Sequence, residues 1–203
     1  KLVAYHETGH TIIGLKLESA SEVQKVTIIP RGDAGGYNLM TPREETYFQT
    51  KSDLIGMITG LLGGRVAEEI VFDEISTGAY NDIERATKIA RNMVMSYGMS
   101  ELGTIQYEQA NHNVFLGRDY GNTLSYSSEI AFEIDKEIRD IIDTAYGNAK
   151  KIILDNRELL DKIAMTLMDV ETLTKEQILE LEAGQEMTMS SLQLHELSKN
   201  NNG

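Results

Sequence analysis

The pentapeptide His6-Glu7-Thr8-Gly9-His10 constrains this chain more than any other stretch. It has the form H-E-x-x-H, and side chains four residues apart share a face on a helix, about 6 Å apart along its axis. Two imidazoles so placed can grip one metal ion. Glu7 then projects beside the ion, where a general base stands to take a proton from water. The chain has only four histidines, and two of them lie here. It has no cysteine, so the donors are nitrogen and oxygen, and zinc is the ion expected for hydrolytic chemistry. The motif calls for a helix over residues 1–17, to which Leu2, Val3, Ile12, Ile13, Leu15 and Leu17 bring apolar surface. Gly9 and Gly14 weaken that helix and suggest the close approach of another backbone.

The rest of the chain reads as mostly helical. Val23 to Pro30 is β-branched and short, a strand. Arg31 to Pro42 is rich in glycine but lacks G-x-x-x-x-G-K-[ST], which points to a mobile loop beside a cleft rather than a phosphate cradle. No proline follows Pro42, which favours long helices. Thr50 and Asp53 form a capping box for a helix running to about Phe72. Its Gly56, Gly60 and Gly64 make a smooth stripe suited to receive another helix, the motif helix being the natural partner. A turn over Ser76–Asp82 leads into a helix from Ile83 to Tyr97 that stops at Gly98. Residues 99–124 are irregular; a long helix opens at Ser128, breaks at Asp155-Asn156, and is followed by helices from Arg157 to Met168 and after the Thr174-x-x-Gln177 box.

The expected fold is therefore mainly α. A zincin-like helix pair carries H-E-x-x-H with a small β-sheet near the N-terminus, and a C-terminal helical bundle follows. One domain spans 1–183, with a metal-site half over 1–98 and a mostly helical half over 99–183; residues 184–203 are expected to be a flexible tail. The net charge of −13 argues against nucleic-acid partners, which need a basic surface. No apolar run is long enough to span a bilayer, Leu54 to Leu62 being too short and followed by Arg65. The chain opens on the motif helix without an initiator methionine, as a fragment of a longer polypeptide would.

A catalytic zinc needs three protein ligands and an open position. The extension H-E-x-x-H-x-x-G-x-x-H fails, because Ile13 and Lys16 stand where its Gly and His belong. His112 and His195 lie in polar segments and read as solvated. Two acidic possibilities remain open on residue chemistry alone. Glu68 and Glu69 sit on the glycine-stripe helix, whereas Asp82 sits where a glycine-containing turn enters a helix. Whichever does not ligate could accept the free ring N–H of a ligating histidine.

Six segments then carry a resemblance: HETGHT, IIPRGDAGGYNLMTP, GGRVAEEI, STGAYNDIERAT, ARNMVMSYGMSELG and VFLGR, in this order over residues 1 to about 182. Together they resemble the peptidase domain of the FtsH family, membrane-anchored ATP-dependent zinc metalloproteases, here of bacterial look. The resemblance implies one zinc per chain held by His6, His10 and Asp82, with Glu7 catalytic and with Glu68 and Glu69 in supporting roles. Thr8 replaces the alanine usual in the family, at a position free to vary. The resemblance also implies a homohexamer acting on unfolded or membrane-extracted polypeptide at the cytoplasmic face of the cell membrane. ATP would be used only by an AAA+ module, and anchoring would fall to transmembrane segments. No Walker motif occurs in these residues, and the present segment is expected to be soluble by itself. Val26, Thr27 and Ile28 are expected to hold extended substrate, provided their strand forms a free sheet edge over the motif helix. The competing expectation is a non-enzymatic, zinc-stabilised interaction or oligomerisation module.

Overall fold

The computed structural model describes residues 1–32, 35–43, 47–107, 126–190 and 193–194. His112, His195 and the VFLGR segment lie outside them. The elements run α1 (Leu2–Lys16), β1 (Glu22–Thr27), β2 (Tyr37–Thr41), α2 (Lys51–Phe72), a 3₁₀ turn (Thr77–Ala79), α3 (Tyr80–Met95), α4 (Ser128–Asp155), α5 (Arg157–Val170), β3 (Thr172–Thr174) and α6 (Lys175–Glu182). The chain is mostly helical with one small three-stranded sheet.

Local chemistry sets most helix starts. The Thr50 hydroxyl accepts from the Asp53 N–H while the Asp53 carboxylate accepts from the Thr50 N–H, and Thr174 and Gln177 repeat the exchange at α6. The Ser127 hydroxyl caps α4. α3 begins at Tyr80, three residues earlier than its pattern suggests, because the Ser76-capped turn feeds straight into it. Ile83 and Tyr97, expected on its apolar face, are exposed instead, while Ala86, Ala90, Met93 and Val94 are buried.

α1 crosses α2 at glycine. A Cβ on Gly9 would collide with the Gly63 carbonyl oxygen and the Ala67 methyl, so the helices touch backbone to backbone. The expected stripe is used differently. Gly56 faces Ser19, Gly60 lies near Ala20, and Gly64 faces the imidazoles of His6 and His10; Gly63, off the stripe, makes the crossing. Gly9→Ala should lower stability by about 1–3 kcal/mol through overpacking. That loss should outweigh the roughly 1 kcal/mol which alanine gains in helix propensity, and thermal unfolding would read it.

The sheet order is β2-β1-β3, antiparallel throughout. β1 is therefore the central strand, paired with β2 from Glu22 to Thr27 and with β3 from Lys25 to Thr27. This corrects the expectation of a free edge at Val26, Thr27 and Ile28. Val26 is wholly buried; the Thr27 hydroxyl bonds the Glu171 carbonyl at 3.0 Å and the Thr172 hydroxyl at 2.7 Å; the Ile28 N–H donates to the Glu171 carbonyl at 3.0 Å. β2 falls within the segment expected to be a loop. Among the described residues no strand pairs with its outer side.

Two apolar cores lie under these elements. Ile12, Ile13, Val23, Val26 and Val66 pack with Ile153, Leu160, Ile163, Leu167, Leu173 and Ile178. Leu54, Ile58 and Leu62 pack with Ala86, Ala90, Met93, Val94, Ile134, Ile138 and Ile141. Each large side chain so buried contributes about 1.5–3 kcal/mol of transfer free energy. Both cores draw on residues from each side of position 98, and α4 reaches both, so the division at 98 does not separate two packing units. Of the segment expected to be a flexible tail, residues 184–190 and 193–194 are described, and several of them make contacts. Thr188 bonds Glu180 through its N–H and hydroxyl, Gln193 pairs with Gln177 and with the Thr172 carbonyl, and Met187 and Met189 pack on the first core. Among the described residues no helix is long and apolar enough to cross a membrane.

Candidate active site

α1 presents His6, Glu7 and His10 on one side, and α2 lies behind them. His6, Glu7 and Glu68 are buried, at 8, 7 and 0% exposure. His6 Nδ1 lies 2.7 Å from Glu68 Oε1, and His10 Nδ1 lies 2.8 Å from the Gly60 carbonyl oxygen. A carbonyl only accepts, so His10 Nδ1 carries a proton, and in the neutral ring Nε2 then holds the lone pair. Glu68 also accepts from the Ser76 N–H at 2.8 Å and the Ser76 hydroxyl at 2.9 Å. Burial opposes its ionisation, but the Ser76 bonds and His6 outweigh this and hold its carboxyl below the usual range. An ionised Glu68 accepts from His6 Nδ1, so that in the neutral ring the lone pair lies on His6 Nε2 as well.

Asp82 comes from the first turn of α3. Glu68 anchors Ser76, the Ser76 hydroxyl caps the following turn, and that turn delivers Asp82 to the histidines. Its Oδ2 lies 3.4 Å from His6 Nε2 and 3.3 Å from His10 Nε2, and the two Nε2 atoms are 3.2 Å apart. Burial would raise the Asp82 pKa, but the two histidines prevail and hold it far below normal. His10 is shifted upward: burial pulls it down, and Asp82, Glu7 and the Gly60 carbonyl more than compensate.

These distances test whether a metal fits. With both rings neutral, two imidazole lone pairs and a carboxylate oxygen, all buried or half-buried, converge on one point. A cation resolves that concentration of acceptors. Tetrahedral zinc with ligands at about 2.0–2.1 Å spaces its ligand atoms about 3.3 Å apart, which matches all three separations. Gly64 makes the room, since a Cβ there would strike both imidazoles. His6, His10 and Asp82 are the one group of three or more such side chains found among the described residues.

Glu7 stands beside this triangle. Burial pushes its carboxyl up, opposed by His10, His6 and Asn38. The Asn38 amide, reaching over from β2, donates to Glu7 Oε2 at 2.7 Å and to the Glu7 carbonyl at 2.9 Å. Sequence reasoning missed Asn38. The available signal was a polar residue at an inward strand position, paired in register with fully buried Val26. The Gly60 carbonyl and Ser76 were missed too.

Glu68 thus takes up the imidazole of His6, whereas Glu69 turns away and pairs with Lys150 of α4 at 2.8 Å on the surface. The supporting role expected of Glu69 is corrected accordingly. Glu68→Gln should weaken metal affinity about 10–100-fold, as loss of a histidine's outer partner does. Glu69→Ala should leave affinity unchanged and alter stability by no more than about 1 kcal/mol. Competition against a zinc chelator separates the two.

The triangle opens into a cleft of about 570 Å³. It is lined by Gly35 to Met40 of the β2 side, by Asn81, Asp82 and Arg85 of α3, and by Met57 and Leu61 of α2.

The family model described as Peptidase family M41 matches residues 1–181. The chain is 57% identical over 200 residues to the ATP-dependent zinc metalloprotease FtsH of Acholeplasma laidlawii, covering 98% of this chain and 31% of that protein. It is 60% identical over 179 residues to the protein of the same description from Bacillus subtilis, covering 87% of this chain and 28% of the relative. A third, from Mesomycoplasma conjunctivae, is 52% identical over 202 residues, covering 98% of this chain and 27% of its own length. The chain thus spans under a third of the length of these relatives. Matched along nearly its whole length by the family and by relatives of that description, the chain is a metallopeptidase domain and belongs to peptidase family M41.

Proposed function

We propose that this chain is the zinc-dependent endopeptidase part of a longer ATP-dependent protease, and that it hydrolyses unfolded or membrane-extracted polypeptide. One observation carries the reading: His6 Nε2, His10 Nε2 and Asp82 Oδ2 converge at zinc-ligand spacing beside buried Glu7. Zinc held by these three would act as a Lewis acid on the scissile carbonyl and make a neighbouring water acidic near neutral pH.

The protein's own residues do the rest. Glu68 and the Gly60 carbonyl fix both imidazoles with Nδ1 protonated, so that Nε2 faces the ion. Glu7 takes the proton of the attacking water at its carboxylate and passes it to the leaving amine. The outer edge of β2, which pairs with no strand among the described residues and whose Tyr37 to Met40 line the cleft, takes the place first expected of β1 and binds substrate as an added strand. That mode reads backbone more than side chains and suits polypeptide of varied sequence. In the parent protein the ring would be a homohexamer anchored at the cytoplasmic face of the membrane, with an AAA+ module feeding the cleft.

The competing reading, a structural zinc in a non-enzymatic module, needs a closed four-ligand site. The described residues offer three ligands, a carboxylate base and an open cleft. Casein hydrolysis by the full-length protein, measured as purified, after chelation and after zinc restoration, decides between them. The expected result is about one zinc per chain and cleavage that vanishes and returns with the metal. Stoichiometric zinc without cleavage would support the structural module instead.

A further inference from the structure

We infer that Asn38 is a positioning residue for Glu7, with Thr11 fixing the orientation of its amide. This rests on the reading of Glu7 as the base. Three of the four hydrogen-bonding valences of the Asn38 side chain are committed. One amide hydrogen goes to Glu7 Oε2 at 2.7 Å, the other to the Glu7 carbonyl at 2.9 Å, and Oδ1 accepts from the Thr11 hydroxyl at 2.9 Å. Rotating the amide by half a turn would set Oδ1 against two acceptors on Glu7, so a single orientation satisfies all three bonds. Thr11 is fully buried and sits one turn beyond Glu7 on α1, which makes it a rigid anchor. Its hydroxyl lies 3.1 Å from the Glu7 carbonyl, farther than from Asn38.

The strand is brought close enough for this by Gly36, where a Cβ would collide with the Thr27 carbonyl and crowd the Glu7 side chain. β2 therefore does two things. Its inward face clamps the base, and its Tyr37 to Met40 line the cleft. An Asn spent on the inward face of a strand, where an apolar residue would pack, has its use in that clamp. The carboxylate is held at one rotamer by the element that borders the substrate path.

Asn38→Leu tests this with little change of shape, and the Thr11 hydroxyl keeps the Glu7 carbonyl as acceptor. In the full-length protein it should keep its zinc and remain folded at the assay temperature, with at most the small stability loss of a buried hydrogen bond. Its kcat should fall about ten- to hundredfold, the scale of a misplaced catalytic group. KM should stay within about twofold, since ground-state binding is untouched. Thr11→Val should give a smaller fall of the same kind and add nothing on the Asn38→Leu background, as expected of two residues acting through one contact. Glu7→Gln is the control. If it is inert while Asn38→Leu retains wild-type kcat, the inference is overturned and the base stands; if Glu7→Gln itself cleaves, the base reading fails first. Loss of zinc or of the folded state in Asn38→Leu would also overturn it, by assigning Asn38 to the metal or the fold.

Discussion

Replacing Glu7 with Gln should leave a folded, zinc-loaded protein whose kcat on casein is lower by on the order of 10²–10⁴-fold. The side chain is 7% exposed and keeps its shape on amidation, and the new carbonyl oxygen can still accept from Asn38 Nδ2. Glu7 bonds neither the ring of His6 nor that of His10; Glu68 and the Gly60 carbonyl serve those, so the imidazoles should not move. What disappears is the basic carboxylate beside the metal position. Metal analysis, thermal unfolding and casein turnover on one preparation give the three readouts. Undiminished turnover would remove Glu7 from the mechanism.

Asp82→Ala should have the other large effect, on the metal itself. Two imidazoles remain, one ligand short of a catalytic zinc site, and the half-buried carboxylate that offsets the ion's charge is lost. The affinity loss should exceed the about 10–100-fold that follows loss of an outer partner such as Glu68. Protein isolated by gel filtration should carry little zinc and cleave no casein. Added zinc should raise the melting temperature of the wild type by mass action and barely move that of the variant. A variant that retains stoichiometric zinc would show that the third ligand lies elsewhere.

Local signals in the sequence were legible where a few consecutive residues decide the outcome. The boxes Thr50–Asp53 and Thr174–Gln177 exchange bonds as read, and H-E-x-x-H folds as one helical face. What stayed hidden depends on partners far along the chain. β1 reads as a strand from its own residues, but whether it is an edge or a centre depends on β3, three residues long and about 145 positions away. β2 was concealed because Gly35 and Gly36, needed for close approach to Glu7 and Val3, make its start look like loop. Between Glu68 and Glu69 the pattern did hold an unread clue. Glu68 continues the four-residue spacing of Gly56, Gly60 and Gly64, the stripe facing the histidines and the turn after α1, whereas Glu69 is rotated about 100° away. Asn38 had only the weak signal of a polar residue facing inward.

The central claim is that His6, His10 and Asp82 hold one zinc next to Glu7. An anomalous difference map at the zinc absorption edge, from crystals of the zinc-loaded protein, tests it most directly. The expected result is a single peak about 2.0–2.1 Å from His6 Nε2, His10 Nε2 and an Asp82 carboxylate oxygen, with a fourth position open to the cleft and Glu68 outside bonding distance. A peak coordinated by Glu68 in place of Asp82, a site closed by a fourth protein ligand, or no peak between the two histidines would contradict it.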